Sequence, residues 1–319
     1  MSDAAEISVI VETHTFNEGG ARERLRAVLQ AVSRLGGGGL AVEVLLADVC
    51  RAPELAAGFP KVRRVDAAGL GYDGAKLKAA AEARGRYVLF LDGDCLPAPG
   101  WLERHLAALR SGQASAVGGF TRYQGGFLAA VMSAMDFGFL LPRRARSLKC
   151  YACNNCGFLR ETLERVPIPS GYVRCRCFYH AQRLARLGTP MLLVPEAAVL
   201  HEMQPIVRER SRQGYDLIAA CWTDPELEQA RWLRWGLLCV PVFYAAALLT
   251  DAWRLWIGRA DLSLRPWQLL LALPTAAGLR LIDAAGMVRA IRRGPEPGGW
   301  GGWLLTQRYT PQPCSPTSS

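Results

Sequence analysis

The chain of 319 residues predicts an α/β fold, a mostly parallel sheet covered by helices, followed by C-terminal membrane-associated helices. Three observations predict it. Short apolar runs alternate with amphipathic stretches as far as about residue 230. One of those runs, Tyr87-Val88-Leu89-Phe90-Leu91, ends on Asp92-Gly93-Asp94. Two long apolar stretches bracketed by arginines follow Trp232. These divide the chain into an α/β domain over residues 1–230, hydrophobic helices over 231–293 and a disordered tail over 294–319, rich in Gly and Pro.

Each element follows from its pattern. Residues 7–11 form a first apolar strand. A helix over 22–35 puts Leu25, Val28, Leu29 and Val32 on one face, and the four glycines 36–39 end it. The second strand, 42–47, stops at Asp48. A shorter strand at 62–65 leads to a helix over 74–83 and then to the strand before Asp92. Strand, helix, strand in repetition is the pattern of a parallel sheet covered on both faces. Pro97 and Pro99 precede a helix carrying Trp101, Leu102, Leu106 and Leu109. Further on come a strand at 115–120, a strongly apolar helix at 127–141 with Asp136 as its one charge, an amphipathic helix at 176–187, and a late strand at 191–195 leading to His201.

Asp92 and Asp94 carry the most information about function. A continuous apolar run reads as a strand buried on both faces, so the two acids sit at its carboxyl end, where open α/β sheets bind ligands. Two carboxylates there repel each other and lose solvation; a divalent cation and a phosphate-bearing ligand offset that cost.

Composition narrows the partners. The net charge is +10, but the basic residues are scattered or flank apolar segments, as Arg231, Arg234, Arg289, Arg292 and Arg293 do. Such flanks suit anionic lipid headgroups and a cytoplasmic orientation, and no nucleic-acid-binding motif accompanies them, so nucleic acid is not expected as a partner. The acidic start, Met1-Ser2-Asp3-Ala4-Ala5-Glu6, has no apolar signal core, which keeps the first domain in the cytosol and argues against a disulfide framework despite ten cysteines. Cys150, Cys153, Cys156, Cys175 and Cys177 cluster, and a zinc or iron–sulfur site is an alternative use for them. His14, His105 and His180 are expected to be surface or packing residues. The uncharged stretches 235–250 and 266–279 are each a little short for a bilayer span of about 20 residues; two spans or two half-buried interfacial helices both fit, and the core of a soluble protein is the plainer alternative.

The order of several pieces resembles the family 2 glycosyltransferases, which have the GT-A fold. They are the strand Ser8-Val9-Ile10-Val11-Glu12-Thr13; the strand ending at Asp48; residues 76–85 with the following Asp92-Gly93-Asp94; Pro97-Ala98-Pro99-Gly100-Trp101-Leu102; Asn154-Asn155-Cys156-Gly157-Phe158-Leu159-Arg160; and Val194-Pro195-Glu196-Ala197-Ala198-Val199-Leu200-His201. The resemblance covers about residues 7–205. It implies transfer of a sugar from a nucleotide-sugar donor to a lipid-linked or glycan acceptor of the membrane or cell envelope. It further implies that Glu12 and Asp48 hold the nucleoside, that Asp92 approaches the ribose or metal, and that Asp94, with Asp92 and His201, coordinates Mg²⁺ or Mn²⁺. Lys76 is expected to neutralise phosphate charge.

The chain departs from the family pattern twice. Asp48 is followed by Val49, where many relatives pair two acids. Residues 170–177, Ser-Gly-Tyr-Val-Arg-Cys-Arg-Cys, hold no carboxylate where inverting members carry a general base. Three explanations fit: Asp136 or Glu202 supplies the base; the acceptor is already an anion such as a lipid phosphate, met by Arg174 and Arg176; or the protein binds a nucleotide-sugar without turning it over.

Overall fold

The computed structural model describes residues 5–13, 21–35, 40–52, 54–169, 176–223 and 232–294. His14, the glycines 36–39, residues 170–175 with Arg174 and Cys175, and the tail beyond 294 lie outside the described residues.

The elements run β1 (Ile7–Glu12), α1 (Ala21–Ser33), β2 (Val42–Asp48), α2 (Glu54–Ala57), β3 (Val62–Asp66), α3 (Tyr72–Ala81), β4 (Tyr87–Asp92), β5 (Cys95–Pro97), α4 (Trp101–Arg110), β6 (Ala116–Tyr123), α5 (Phe127–Phe137), β7 (Arg146–Leu148), β8 (Asn155–Leu159), α6 (Arg160–Arg165), α7 (Arg176–Arg186), β9 (Met191–His201), α8 (Ile206–Thr223), α9 (Cys239–Ile257) and α10 (Leu269–Arg293). The strands form one sheet in the order β3-β2-β1-β4-β8-β6-β9-β5, with β7 also beside β9. It is parallel where the sequence predicts, across β3, β2, β1 and β4. Beyond β4 the sheet is mixed, since β8 runs antiparallel to both β4 and β6, β6 and β9 are parallel, and β5 and β7 are antiparallel to β9.

The N-terminal half follows the apolar pattern closely. Every residue of β1 and β4 is buried, as a strand flanked by strands and covered on both faces must be. On α1 the predicted stripe Leu25, Val28, Leu29 and Val32 faces the core. Two elements extend further than their patterns show. Helix α3 begins at Tyr72, so Tyr72 and Asp73 fall in its first turn. Strand β9 continues past Pro195 to His201, because β6 pairs along it on both sides of a bulge at Gly119/Phe120 and β5 pairs with its last three residues. A side chain at Gly119 would sit 2.1 Å from the Ala197 carbonyl, so only glycine fits the bulge.

Asn155 locks this irregular region. Its Nδ2 donates to the carbonyls of Phe120 (3.0 Å) and Ala197 (2.9 Å), while its Oδ1 accepts from Trp101 Nε1 (2.8 Å) and faces His105 Nε2 at 2.9 Å. His105 and His180 are therefore packing residues, as expected; His180 sits between Tyr151 OH and the Val166 carbonyl, at 2.7 Å from each.

After β9 the chain builds a helical flank. Gly214 of α8 and Gly286 of α10 let these two helices touch backbone to backbone: a Cβ at either would meet the carbonyl of Asp283 at 1.8 Å or of Ser211 at 2.1 Å. The segments Gly236–Ile257 and Pro266–Arg293 are long and apolar enough to cross a membrane.

Burial pushes the His105 imidazole down to about 4. Its folded state therefore prefers the neutral ring, and between pH 6.5 and 4 the unfolded chain binds a proton that the folded one refuses. Stability falls as pH drops through that window, by up to about 3 kcal/mol from this ring. In urea unfolding at stepped pH, His105→Gln should show a shallower acid loss than the parent protein.

Candidate active site

The site is built where three parallel strands end. Glu12 closes β1 and is in register with Asp92 at the end of β4 and with Ala47 of β2, one residue before Asp48. Side chains in register on neighbouring strands share a face, so Glu12 and Asp92 meet at the carboxyl edge of the sheet, while Asp48, one residue past the register of Glu12, ends its strand at the same edge. Glu12, Asp48, Asp92 and Asp94 are all buried. Gly93 makes the spacing possible, since a Cβ there would lie 2.5 Å from the Glu12 carbonyl.

Beyond Gly93 the chain turns back into β5, whose first residue, Cys95, pairs with His201 at the end of β9. Asp92, Asp94, Cys95 and His201 thus offer ligand atoms that lie within 4.8 Å of one another. The His201 Nδ1 lies 2.6 Å from the Glu202 carbonyl. A carbonyl can only accept, so Nδ1 is the donor to it, and Nε2 is the ring nitrogen turned toward Asp94, 3.7 Å from Oδ1. Gln204 Nε2 donates to Asp94 Oδ2 (3.3 Å), and the Glu202 N–H donates to the Asp94 carbonyl (3.1 Å). The rings of Tyr123 and Phe137 hold the imidazole from the side, with centroids at 5.2 and 5.8 Å.

Cys95 carried no signal in the sequence, because its place depends on a strand pairing 106 positions away. Burial, with the charges of Asp94 and Asp92, pushes its thiol well above the ordinary value. It stands as a protonated thiol 3.6 Å from Asp94 Oδ1.

Lys76 sits elsewhere than expected. It is buried, and its three hydrogens meet Asp92 Oδ1, Tyr72 OH (2.6 Å) and the Cys153 carbonyl (2.9 Å). None is left for a phosphate. Although burial alone lowers it, Asp92 holds this ammonium above its usual value, so it remains charged. Tyr72 adds a bond to Asp92, with its hydroxyl 2.8 and 3.0 Å from the two oxygens. Burial nonetheless raises the Asp92 carboxyl against the pull of Lys76, and the neighbouring Asp94 charge pushes the same way. Two acids facing one lysine leave an uncompensated negative charge in a dry place, and a divalent cation fits that need.

Asp48 is also partly committed to its own fold. Its oxygens accept from the N–H groups of Cys50 and Ala52, both at 2.9 Å, and from Arg64 Nε at 2.6 Å. A carboxylate has about four acceptor positions, so one remains toward a ligand.

The two acids considered as a base differ. Asp136 is held away from that role: Oδ2 accepts from Tyr123 OH (3.0 Å) and Oδ1 pairs with Arg210 (2.9 Å). Glu202 is half-exposed and pairs with Arg24 at 2.9 Å. A third acid, unremarked in the sequence, lies in the first turn of α3. Asp73 pairs with Arg176 at the start of α7, and burial pushes its carboxyl up to about 6 in spite of that arginine. The cysteine cluster gathers no metal site among the described residues. Cys156 and Cys150 instead direct their thiols at the carbonyls of Cys153 (3.8 Å) and Tyr151 (3.6 Å).

Residues 8–166 match the sequence model of glycosyl transferase family 2, and the chain belongs to that family. It is a glycosyltransferase. Its fold is similar to that of a mannosyltransferase from Pyrobaculum calidifontis, solved with GDP-Man and Mn²⁺, with a TM-score of 0.56 and 19% identity over 89% of this chain and 86% of that one. GalNAc-T7, solved with UDP, GalNAc and Mn²⁺, superposes with a TM-score of 0.50 and 15% identity over 62% of this chain and 43% of that one. No curated protein matches the sequence.

The Lys76–Asp92 pair makes a testable demand on stability. Lys76→Met leaves a buried carboxylate unpaired and should cost about 3–5 kcal/mol in urea unfolding. Asp94→Asn, which relieves like-charge repulsion, should leave the midpoint unchanged or higher.

Proposed function

We propose that this glycosyltransferase is metal-dependent and moves a sugar from a nucleotide-sugar donor to a lipid-linked or cell-envelope acceptor, with its catalytic domain on the cytoplasmic side of the membrane. The observation that carries the reading is the convergence of Asp92, Asp94 and His201 at the sheet edge where Glu12 and Asp48 also end. Two carboxylates with one imidazole form a donor set dominated by hard oxygens, which suits Mg²⁺ or Mn²⁺. Bound there, the ion supplies Lewis-acid stabilisation of the departing nucleoside diphosphate.

The chain's own residues do the rest. Glu12 and the remaining acceptor position of Asp48 accept hydrogen bonds from the nucleoside. Lys76 and Tyr72 fix the Asp92 carboxylate so that its orientation is set before the donor arrives. His201 is oriented by the Glu202 carbonyl and the Tyr123 ring.

The general base that the start of α7 lacks is supplied, in this proposal, by Asp73. What supports it is position and affinity for protons together. Asp73 is tied to α7 through Arg176, and a carboxyl near 6 is poised to take a proton from a hydroxyl at neutral pH. Glu202 is the other candidate. The second reading, a non-catalytic nucleotide-sugar binder, rests on the absence of a carboxylate from residues 170–177.

Thermal-shift titration with nucleotide-sugars, with and without Mn²⁺, tests the donor site, because a ligand that binds only the folded state raises its melting point. We expect a shift that needs Mn²⁺, that Asp94→Ala abolishes, and that His201→Ala weakens by about tenfold or more in Mn²⁺ requirement. A shift indifferent to Mn²⁺ and to both variants would contradict the metal assignment. In turnover assays Asp73→Asn should lower kcat by about 10²–10⁴-fold with donor binding retained; an unchanged kcat removes Asp73 from the mechanism.

A further inference from the structure

Of the fifteen large hydrophobic side chains exposed among the described residues, twelve fall between Trp235 and Leu281. They are not scattered. On α9 and the residue just before it, Leu238, Val242, Leu249, Trp253 and Trp256 recur at helical intervals on one face, and the opposite face carries the buried Asp251 and Leu255. On α10 and the turn that leads into it, Trp267, Leu270, Leu271 and Leu281 form a second exposed stripe, while Ala272, Ala276, Leu279, Asp283 and Met287 are buried. The hairpin thus has one apolar outer face and one inner face packed on the protein.

A hairpin that crossed a bilayer would carry its turn about 30 Å from the domain that holds its outer ends. Here the turn comes back. Leu262 and Leu264 belong to the main hydrophobic core, and Asp261 Oδ2 accepts from the Arg143 N–H at 3.1 Å. A Cβ on Gly258 would lie 2.5 Å from Leu141, so the turn meets the domain at close contact. The outer ends are anchored as well: Leu233, Cys239, Met287 and Ala290 cluster with Tyr215 and Ile218 of α8.

The middle of the hairpin is fixed by charge. Asp251 receives a bidentate pair from Arg280 (2.7 and 2.9 Å), Arg280 reaches Asp283 (2.7 Å), and Asp283 lies 3.0 Å from Arg210 of α8. Arg210 in turn pairs with Asp136 of α5. These buried ions join the inner faces of α9 and α10 to the catalytic domain along their length, and one partner removed leaves an unpaired charge.

We infer that α9 and α10 lie flat in one leaflet of an anionic membrane, against the flank of the catalytic domain, without crossing the bilayer. The lipid is the occupant that the surface chemistry selects. Tryptophans stand at both ends of the apolar face (Trp235 with Trp253, Trp256 and Trp267), as interfacial anchors do. Arg234, Arg259 and Arg265 flank it, as anionic headgroups require. Immersion by about 5–10 Å covers such a stripe. The seat also lies close to the site. Arg254 of α9 donates to the Met135 carbonyl at 3.2 Å, and Phe137, two residues on, stacks on His201. If the proposed function holds, an acceptor held in the lipid needs only to cross α5 to reach the metal residues; the flat seat itself does not depend on that reading.

Sidedness tests the inference without any assay of activity. Ser263→Cys marks the turn and Ser111→Cys, in the exposed loop after α4, marks the catalytic domain. Sealed membrane vesicles from cells expressing the full chain are treated, in either orientation, with a charged maleimide that cannot cross lipid. Labelled peptides are read by mass spectrometry, which separates the native cysteines. Both sites should react in the same orientation. Reaction of Ser263→Cys only in the opposite orientation, or in neither while Ser111→Cys reacts, overturns the inference. In parallel, the purified chain should float with vesicles of phosphatidylcholine and phosphatidylglycerol. The triple variant Leu249→Ser, Trp253→Ser and Trp256→Ser should bind at least tenfold more weakly while keeping its melting point in detergent. A parent chain that fails to float, or that hides the stripe in a stable dimer, also overturns it.

Discussion

The carboxylate of Asp92 sits at the end of a strand buried on both faces, and the site depends on how its charge is tolerated. Lys76, itself buried, points all three of its hydrogens inward, one of them at Asp92, and Tyr72 closes the remaining angle. An isolated ion of either sign would be costly in that place; together they hold one another, and the oxygens of Asp92 keep one orientation. Asp94 then adds a second negative charge, met among the described residues by the Gln204 amide, the Cys95 thiol and the His201 ring and by no lysine or arginine. The balance is deliberately incomplete from an electrostatic standpoint. In the proposed function an external divalent cation would complete it, and a nucleoside diphosphate would fill the rest of the cation's shell.

The same logic of paired charge recurs at the flank. Asp136, which the sequence offered as a possible base, belongs to an alternating row with Arg210, Asp283, Arg280 and Asp251 that binds the apolar hairpin to the domain. Its other oxygen accepts from Tyr123, whose ring packs on His201. One end of the row therefore touches the ring that packs on His201, and the other lies within the apolar hairpin. The packing of the hairpin and the geometry of the candidate site share one set of contacts.

Much of this was legible in the sequence because it depends on local order. Apolar runs that end on Glu12, Asp48 and Asp92 announced three buried parallel strands and the edge where their acids meet. Gly93 between two acids belonged to the same pattern. What the sequence could not convey was direction and distant pairing. Lys76 lies one turn along α3 from Tyr72, and nothing local says that it turns toward Asp92 and away from solvent. Cys95 joins the metal-capable group only through β5 pairing with β9, and the length of β9 depends on a bulge opposite Gly119. Asp73 looked like an ordinary helix-start acid until Arg176 was seen to reach it. The apolar stretches after Trp232 read equally as spans or interfacial helices, because hydropathy does not record where a turn lands; Asp261 and Leu262 do.

The central claim, a divalent cation gripped at the mouth of the sheet, is tested most directly by diffraction at the manganese absorption edge from crystals soaked with Mn²⁺ and a nucleoside diphosphate. The account predicts one anomalous peak bounded by Asp92, Asp94 and His201, with the diphosphate against it. A peak elsewhere, or none at that position with the nucleotide bound, contradicts it.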